Sequence, residues 1–391
     1  MPQQKALVLS YSPISRDPRV RRQIHWLSSN GFEVEVWGLG PAPKAGEAKY
    51  HEMRLPGKLI RVLCYLLLSQ SRRANLLVER PLDSLAKQLN QSSDYDLVLL
   101  NDLDFLSIEA LFSSGNGEQR KVVVDLHEYF YDLGGSMTWR LLNSRYYKWL
   151  LSRLESRKFQ SVVTVSDEIA DLYESKLKRK VETVLNVPIP SDQCVEPDTR
   201  RTADHSGKIR LIHHGIFGKG RGIWRMIGAM KFVREPFELN LMLVGSKLKK
   251  MLAKVLISVL LLSEKVFIVE PVRFNEIVPT LRDFDLGVIF FHPPHSTSLR
   301  LAMPNKFFEF LNAGLGVISG PSPAISRLVQ DWEVGVVSES WSMKSLANTI
   351  NCLDIKQVQA LKSKSELAYS NLPAEQLEKN FIKALNLGGD R

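Results

Sequence analysis

The sequence predicts an α/β protein made of two Rossmann-like, doubly wound parallel-sheet domains that face one another across a cleft. Short β-branched runs alternate with longer amphipathic runs, and this alternation occurs in two series. A stretch rich in Pro, Asp, Thr and Ser, with almost no apolar period, separates the series. We expect domains at 1–190 and 208–370, a linker at 191–207, and a C-terminal helix at 371–391 that returns to the first domain.

The first series begins with a strand, a helix and a second strand. Residues 5–10 and 33–38 are predicted strands, and residues 18–30 are a predicted helix that Gly31 ends. Further strands are predicted at 97–100, 122–125 and 161–165, the last followed at once by a helix that starts at 166. Strands separated by helices imply a parallel sheet with helices on both faces.

The second series follows the linker. Its predicted strands lie at 210–214, 239–244, 265–269 and 286–290, with helices between them. The tail from 353 to 386 is predicted to be helical. Ligands of open α/β sheets bind beyond the carboxyl ends of the strands, so we expect the functional residues there.

Composition excludes several classes of protein. The 391 residues suffice for two or three domains, and 44% hydrophobic and 24% charged residues argue against disorder, collagen or a coiled coil. Cys64, Cys194 and Cys352 lack the spacing of a zinc site or a disulfide framework, so a cytoplasmic location is expected. We expect no signal peptide, because residues 1–5 lead straight into a strand-like run, and no membrane span, because no run of about 18 apolar residues occurs.

The net charge of +10 is spread over the chain, with +4 in residues 1–190 and +6 in the rest. No basic motif is interleaved with aromatic residues, so nucleic acid is not an expected partner. Residues 41–80 carry eight basic and three acidic side chains around the apolar run 62–68. Two interpretations stay open: the basic segment 54–80 contacts the inner face of the plasma membrane, or it contains a core helix whose charges face water.

Residues 303–314 form a predicted short helix that follows a strand and its loop. Pro304 suits its first turn and Gly314 its end. The N–H groups of the first turn and the Lys306 ammonium would attract an anion such as a diphosphate, and Glu309 would accept hydrogen bonds from sugar hydroxyls. The alternative is an ordinary capped helix with a solvated Lys and Glu.

A glycine-rich turn at 212–222 leads from a strand into a helix. Glycines let the backbone approach a phosphate, and Lys219 or Arg221 would neutralise its charge. The turn matches neither the dinucleotide fingerprint GxGxxG nor the P-loop, which argues against a nicotinamide cofactor and ATP hydrolysis. A plain strand-to-helix turn is the alternative.

Two strand ends in the first domain carry polar side chains. His127, between Asp125 and Glu128, would reach a sugar hydroxyl or the reacting centre, with a structural role as the alternative. Asp102 and Asp104 end the preceding strand. No third ligand lies nearby in sequence, so we expect a solvated or capping role and no metal.

Several arginines lie at the first strand-to-helix loop. Arg16 precedes the predicted helix, and Arg19 and Arg22 share one of its faces. Such a pair would grip a phosphate or an acidic acceptor. The alternative is a charged surface helix.

Taken in order, these motifs resemble those of the family-4 glycosyltransferases of GT-B fold, bacterial enzymes that transfer a sugar from a nucleotide-diphosphate donor with retention. The likeness covers nearly the whole chain and rests on the segments 17–22 with 31–34, 102–104, 125–128, 165–166, 185–188 and 304–314. It implies a glycosyltransferase of cell-surface polysaccharide or glycoconjugate biosynthesis that needs neither cofactor nor metal. The first domain would hold a glycan or lipid-linked acceptor, and the second the nucleotide-sugar donor.

The resemblance also implies roles for single residues. It places His127 near the donor sugar, Arg221 at the position of the phosphate-contacting Lys, and Glu309 at the second glutamate of the EX7E motif, which holds the ribose. With Lys306 from the helix start, the expected catalytic residues are His127, Arg221 and Lys306. The expected binding residues are, for the donor, Gly215, Lys219, Asn305 and Glu309, and, on the acceptor side, Arg16, Arg19, Asp102 and Glu128.

The sequence departs from the family pattern at two positions. Leu301 stands where the first glutamate of EX7E is expected, and Ile216 stands where an Arg is usual. Either Lys219, Arg300 or Lys306 compensates, or donor binding is weakened or lost. Two alternatives stay open: a non-catalytic GT-B protein that binds a nucleotide sugar or a partner transferase, and a nucleotide-sugar epimerase, which would need further acid and base carboxylates.

Overall fold

The computed structural model describes residues 3–42, 48–91, 95–109, 112, 120–133, 137–156, 159–188, 207–218, 220–291, 296–372 and 374–385. The chain divides into two compact units. Unit 1 comprises Met1–Leu185, Ser296–Leu299 and Glu375–Arg391, and unit 2 comprises Asn186–His295 and Arg300–Ala374. Except for Gly207, the expected linker 191–207 lies outside the described residues.

Unit 1 contains one parallel sheet of seven strands in the order β3-β2-β1-β4-β5-β6-β7. The strands are β1 Lys5–Pro13, β2 Glu33–Leu39, β3 Lys49–Glu52, β4 Leu97–Asn101, β5 Lys121–Leu126, β6 Ser161–Thr164 and β7 Glu182–Thr183. The helices up to β7 are α1 Pro18–Ser29, α2 Lys58–Leu67, α3 Gln70–Ala74, α4 Asp83–Gln91, α5 Met137–Ser156 and α6 Asp167–Leu177. All residues of β4 are buried, as expected for a central strand covered on both faces.

Helix α1 shows how the sequence determines where an element begins and ends. The Asp17 carboxylate caps it by accepting hydrogen bonds from the backbone N–H groups of Arg19 and Val20, at 3.0 and 3.2 Å. Pro18 then occupies the first helical position, where its missing N–H costs nothing. Gly31, with φ of +85°, follows the helix and turns the chain into β2.

Unit 2 contains a second parallel sheet, of six strands in the order β10-β9-β8-β11-β12-β13. The strands are β8 Ile209–Ile216, β9 Phe237–Val244, β10 Val266–Val269, β11 Leu286–Ile289, β12 Gly316–Ser319 and β13 Gly335–Val337. The helices from here to the C-terminus are α7 Ile223–Ala229, α8 Lys247–Val259, α9 Ile277–Leu281, α10 Thr297–Arg300, α11 Asn305–Asn312, α12 Pro323–Asp331, α13 Met343–Asn351, α14 Ile355–Ser370 and α15 Ala374–Ala384. Two doubly wound parallel sheets confirm the predicted fold class.

Helix α15 belongs to unit 1, far from its neighbours in sequence. The ring of Phe381 packs 5.2 Å from that of Trp26 on α1. The Ser161 hydroxyl at the start of β6 donates to the carbonyl oxygen of Ala384 at 2.5 Å. In the described part of the chain, no helix is both long enough and apolar enough to cross a bilayer.

The strand order of each sheet fixes where its loops separate. The order reverses direction between β1 and β4 in unit 1 and between β8 and β11 in unit 2. Loops that leave two such strands run to opposite faces of the sheet and open a crevice at the carboxyl ends. Each unit therefore has one switch point where a ligand site is expected.

Candidate functional site

Lys306 brings a buried ammonium to the switch point of unit 2. Its Nζ donates to the carbonyl oxygen of His214 at the end of β8, at 2.5 Å, and lies 3.4 Å from Nε2 of His213. Gly215 leaves the space for it: its φ is +128°, and a Cβ there would lie 3.2 Å from the Lys306 Nζ. Gly215, an expected donor-binding residue, and Lys306, an expected catalytic residue, are therefore neighbours at the end of β8.

Nε2 of His213 can accept a hydrogen bond from the Lys306 ammonium, because the other ring nitrogen carries the proton. Nδ1 lies 2.8 Å from the carbonyl oxygen of Val288 on β11, so Nδ1–H donates there and Nε2 is left as an acceptor. Burial, together with the nearby Lys306 charge, holds the pKa of His213 well below its usual value. The ring is therefore neutral and suited to an ammonium partner.

Burial and, to a lesser extent, the Arg221 guanidinium lower the pKa of Lys306, and Glu309 opposes them, so that the pKa is about 7. Near neutral pH, the ammonium loses its proton readily. An anion bound beside Nζ would restore the full charge, since an opposite charge favours the protonated form. Binding of an anionic ligand would therefore favour the charged form of Lys306.

Glu309 lies three residues after Lys306 on the same face of α11. Its Oε2 is 3.1 Å from Nε2 of His214, and both side chains are buried. The edge of the His214 ring meets the ring of Phe310, with centroids 5.3 Å apart. The structure therefore brings Lys306 and Glu309 together around two histidines to which the sequence analysis gave no role.

The glycine-rich turn is held by a close backbone approach at Gly222. This residue has φ of +69°, and a Cβ there would lie 1.8 Å from the carbonyl oxygen of Phe290 after β11. Arg221, just before it, is half-buried, with its guanidinium carbon 5.9 Å from the ring centroid of Phe291. Lys219 lies outside the described residues.

The two positions that depart from the family pattern differ in exposure. Leu301 is buried, whereas Ile216 at the end of β8 is exposed. Arg300 is also exposed, and Asn305 is the half-buried first residue of α11. Two of the three cations expected to compensate, Arg300 and Lys306, are described, and Lys306 contacts the end of β8.

Asn186 is a positioning residue that sequence reasoning missed. Its side-chain amide donates to the carbonyl oxygen of Met303 at 3.3 Å, just before α11. Asn186 stands in one of the segments that carried the family resemblance, which was the available signal. It connects the first residues of unit 2 to the loop that delivers Lys306.

In unit 1, Arg19 forms a buried ion pair with Asp125 at the end of β5. The guanidinium donates from Nε to Oδ2 at 2.8 Å and from Nη2 to Oδ1 at 2.7 Å, and its Nη1 donates to the carbonyl oxygen of Val184. Gln23 donates to the same carboxylate at 2.5 Å. Arg19 thus fastens α1 to the sheet, which differs from the expected contact with an acceptor.

His127 follows this ion pair at the carboxyl edge of the sheet. Its Nε2 lies 3.3 Å from Oδ1 of Asn101 and 3.7 Å from Oδ1 of Asp125. Desolvation lowers the pKa of His127, but the Asp125 carboxylate outweighs it and the net shift is upward. With Nε2–H directed at these acceptors, Nδ1 is the nitrogen left for a substrate.

Asp125 is kept ionised by the same contacts. Burial alone would raise its pKa, but the Arg19 guanidinium and His127 hold the pKa of Asp125 below the usual range. Among the described residues, no group of three or more His, Cys, Asp or Glu side chains is arranged to bind a metal ion.

The remaining acceptor-side residues have structural contacts in unit 1. Asp102, with φ of +86°, accepts the backbone N–H of Tyr11 at 2.9 Å, and desolvation raises the pKa of its carboxyl group. The carbonyl oxygen of Glu128 accepts the Tyr173 hydroxyl at 2.7 Å. The backbone of Arg16 ends a short 3-10 turn before α1, and its side chain is outside the described part.

Comparison with protein-family models gives a match over part of the chain. Residues 19–187 match the model of the family described as Glycosyltransferase Family 4. This range contains the Arg19–Asp125 pair and His127. A comparison with curated proteins finds no match.

Solved structures resemble the chain over almost its full length. Sucrose-phosphate synthase from Thermosynechococcus elongatus has a TM-score of 0.70 and 14% identity, with 98% of this chain and 99% of that chain covered. Anabaena HepE in complex with UDP-glucose has a TM-score of 0.68 and 16% identity, with 98% and 100% covered. A glycosyltransferase from Rickettsia africae has a TM-score of 0.67 and 12% identity, with 98% of both chains covered. At these identities the likeness shows the GT-B fold.

Proposed function

We propose that the chain is a glycosyltransferase and that unit 2 binds a nucleotide-diphosphate sugar through Lys306. The match of residues 19–187 to Glycosyltransferase Family 4 and the GT-B fold support the enzyme class. The single observation that carries this proposal is the buried Lys306 ammonium at the end of β8. An ammonium held by a carbonyl and a neutral imidazole has unmatched positive charge, which a diphosphate supplies with the opposite sign.

The surrounding residues suit the other parts of such a donor. Arg221 adds a second positive charge close enough to lower the pKa of Lys306. Glu309 offers carboxylate oxygens to ribose hydroxyls while His214 fixes its orientation. The UDP-glucose complex of Anabaena HepE, a protein of the same fold, supports a nucleotide-sugar donor. Lys306 thereby supplies the positive charge of the Arg that is usual at the position of Ile216.

The reaction follows from where charge develops. The bond between the sugar C1 and the diphosphate oxygen breaks, and a bond from C1 to the acceptor hydroxyl oxygen forms on the same face, with retention. The electron pair of the broken bond stays on the diphosphate, where Lys306 and Arg221 stabilise it. The acceptor's proton passes to the leaving phosphate oxygen, so the transfer balances without a metal.

His127 is assigned to the sugar in this proposal. Its raised pKa favours the imidazolium, which donates Nε2–H towards Asn101 and Asp125 and Nδ1–H to a substrate oxygen. The acceptor is a glycan or lipid-linked glycan, which unit 1 holds. Its product belongs to cell-surface polysaccharide or glycoconjugate biosynthesis.

The buried Leu301 and the exposed Ile216 favour a second candidate, a protein that binds nucleotide sugars without transferring the sugar. Fold and family membership alone do not exclude it. The two candidates share donor binding and differ in whether the C1–oxygen bond breaks.

The test uses UDP-, GDP- and ADP-sugars labelled in the sugar. Each is incubated with the protein, with and without EDTA, in water alone and with a lipid and glycan extract as acceptor. The proposal predicts release of one nucleoside diphosphate and label in a product of unchanged anomeric configuration, both insensitive to EDTA and lost in Lys306→Met. Binding without release supports the second candidate. If neither binding nor release is observed, the proposal that the chain recognises a nucleotide-sugar donor is overturned.

A further inference from the structure

Helix α2 of unit 1 exposes an apolar face to solvent. Six large apolar side chains on its ten residues are between 40% and 75% exposed, namely Leu59, Ile60, Val62, Leu63, Leu66 and Leu67. At about 100° per residue, these six lie within one arc of about 160° around the helix axis. Cys64, the buried residue of α2, lies outside that arc. A contiguous exposed apolar face of this kind marks an interaction surface.

The charges around this face have one sign. Residues 53–78 contain no acidic residue and five basic ones, Arg54, Lys58, Arg61, Arg72 and Arg73. Arg54, Lys58 and Arg72 are exposed, and the described residues offer none of them an ion pair. Arg73 is different, because it is buried between the rings of Tyr65 and Tyr146. The interpretation as a core helix does not fit, because the apolar side chains of α2 face water.

Helix α8 of unit 2 shows the same pattern independently. Five apolar side chains form a stripe at helical spacing and are between 48% and 72% exposed, namely Leu248, Met251, Leu252, Val255 and Val259. Its buried residues, Ala253 and Ile257, lie on the opposite side. The helix carries four lysines and no acidic residue. Of these lysines, Lys247 and Lys254 form no ion pair among the described residues.

We propose that α2 and α8 are membrane-binding helices that lie in the headgroup region of an anionic bilayer. A bilayer surface supplies both partners that these helices lack, since acyl chains receive the apolar face and lipid phosphates receive the cations. A second copy of the chain fits less well, because a symmetric contact through α2 would place its own cations against one another. The two helices bind on the surface and do not span the bilayer.

The test is flotation with vesicles of phosphatidylcholine alone and of equal parts phosphatidylglycerol and phosphatidylcholine. Three matched double variants are compared with the wild-type chain. Leu59→Ser with Leu67→Ser alters α2, whose two residues are 73% and 75% exposed. Leu248→Ser with Val259→Ser alters α8, whose residues are 59% and 72% exposed. Ile355→Ser with Leu367→Ser on α14, at 53% and 61%, is the control.

The proposal predicts that the wild-type chain and the α14 variant bind anionic vesicles. Added salt abolishes this binding, and neither protein binds neutral vesicles. The α2 and α8 variants each weaken binding by at least about thirtyfold, because each loses inserted methyl and methylene groups. Arg72→Gln weakens it about fivefold. Unchanged thermal unfolding shows that the variants fold.

Three results would overturn the proposal. If the wild-type chain stays in solution, or binds neutral vesicles as well as anionic ones, an anionic bilayer is not the partner of the two helices. Unchanged binding of one helix variant removes that helix from the membrane surface. Concentration-dependent self-association that the α2 variant abolishes, without vesicle binding, assigns α2 to a contact between copies of the chain.

Discussion

The Nζ atom of Lys306 lies 3.4 Å from Nε2 of His213, and no carboxylate among the described residues forms an ion pair with it. His213 is neutral because its Nδ1–H is donated to Val288 and because burial and Lys306 lower its pKa. A buried cation beside a neutral base costs folding free energy. Such a cost is typical of functional sites, where a ligand later supplies the missing charge.

That cost predicts that Lys306→Met stabilises unit 2. The pKa of Lys306 is about 7 in the folded chain and about 10.4 when unfolded. Between these pH values the unfolded chain binds more protons, so stability rises with pH across this window, and the full penalty is present below it. We expect Lys306→Met to gain about 3 kcal/mol in urea unfolding near pH 6 and much less near pH 10.

The control for this measurement is Lys344→Met, at an exposed lysine of α13. It should leave the unfolding curve unchanged at both pH values. Equal curves for Lys306→Met and the wild-type chain at low pH would show that Lys306 is not a buried charge.

The backbone approach at Gly222 gives a prediction about folding of the glycine-rich turn. Gly222→Ala forces a Cβ to 1.8 Å from the carbonyl oxygen of Phe290, so the turn and the start of α7 must move. We expect a loss of about 3 kcal/mol or more. Gly220→Ala is the matched control, since Gly220 also has positive φ but has nothing within 4 Å of the added Cβ. It should cost about 1 kcal/mol, and similar thermal unfolding of the two variants would contradict this reading of the turn.

Asp125→Asn should affect both the stability that the ion pair with Arg19 provides and the pKa of His127. It leaves Arg19 buried without its carboxylate, for a loss of about 3–5 kcal/mol. Desolvation then dominates at His127, and we expect its pKa to move from above to below the ordinary value of about 6.5. NMR titration of the ring protons measures this shift, with His127→Gln to assign the signal.

The contact between His127 and Asp125 also determines how the stability of the chain changes with pH. Since the pKa of His127 is raised on folding, its attraction to Asp125 stabilises the chain fully below about pH 6.5 and is lost as the pH rises through the folded pKa. Glu182→Gln, which breaks the exposed pair with Lys180, is the control and should cost under about 1 kcal/mol. A His127 pKa unchanged in Asp125→Asn would contradict the assignment.

Glu309 should distinguish the nucleoside from the diphosphate. If its carboxylate holds ribose hydroxyls, Glu309→Gln weakens binding of UDP, GDP or ADP about tenfold and leaves inorganic pyrophosphate unaffected. Titration calorimetry with both ligand types measures this, and exposed Glu339→Gln is the control. Equal weakening of pyrophosphate would place Glu309 at the phosphates instead.

Sequence periodicity predicts most of the strands, and it misses short strands such as β7 and β12. Strands β1 and β4 are recognisable because they are continuous apolar runs, whereas β7 has two residues and is held by backbone pairing with β6. The four residues of β12 begin two positions after Gly314, in a run too short for a period. These elements depend on neighbouring strands more than on their own sequence.

The candidate site shows the same limit. Lys306 and Glu309 are predictable because the spacing of a helix start places them on one face. The Arg19–Asp125 pair is not, because the two residues are separated by 106 positions and only the folded sheet brings them together. His213 and His214 sit inside an apolar strand, where the sequence does not show that their rings meet α11.

The most direct test of the account is the affinity for UDP-glucose, GDP-mannose and ADP-glucose near pH 6 and near pH 8, since these diphosphates keep their charge over this range. If Lys306 must be protonated to hold the donor, the Kd of the preferred donor is about tenfold higher at the upper pH. In Lys306→Met, binding is weakened and its pH dependence disappears. Wild-type affinity in Lys306→Met, with the same pH dependence, would contradict the assignment of Lys306 as the cation that holds the diphosphate.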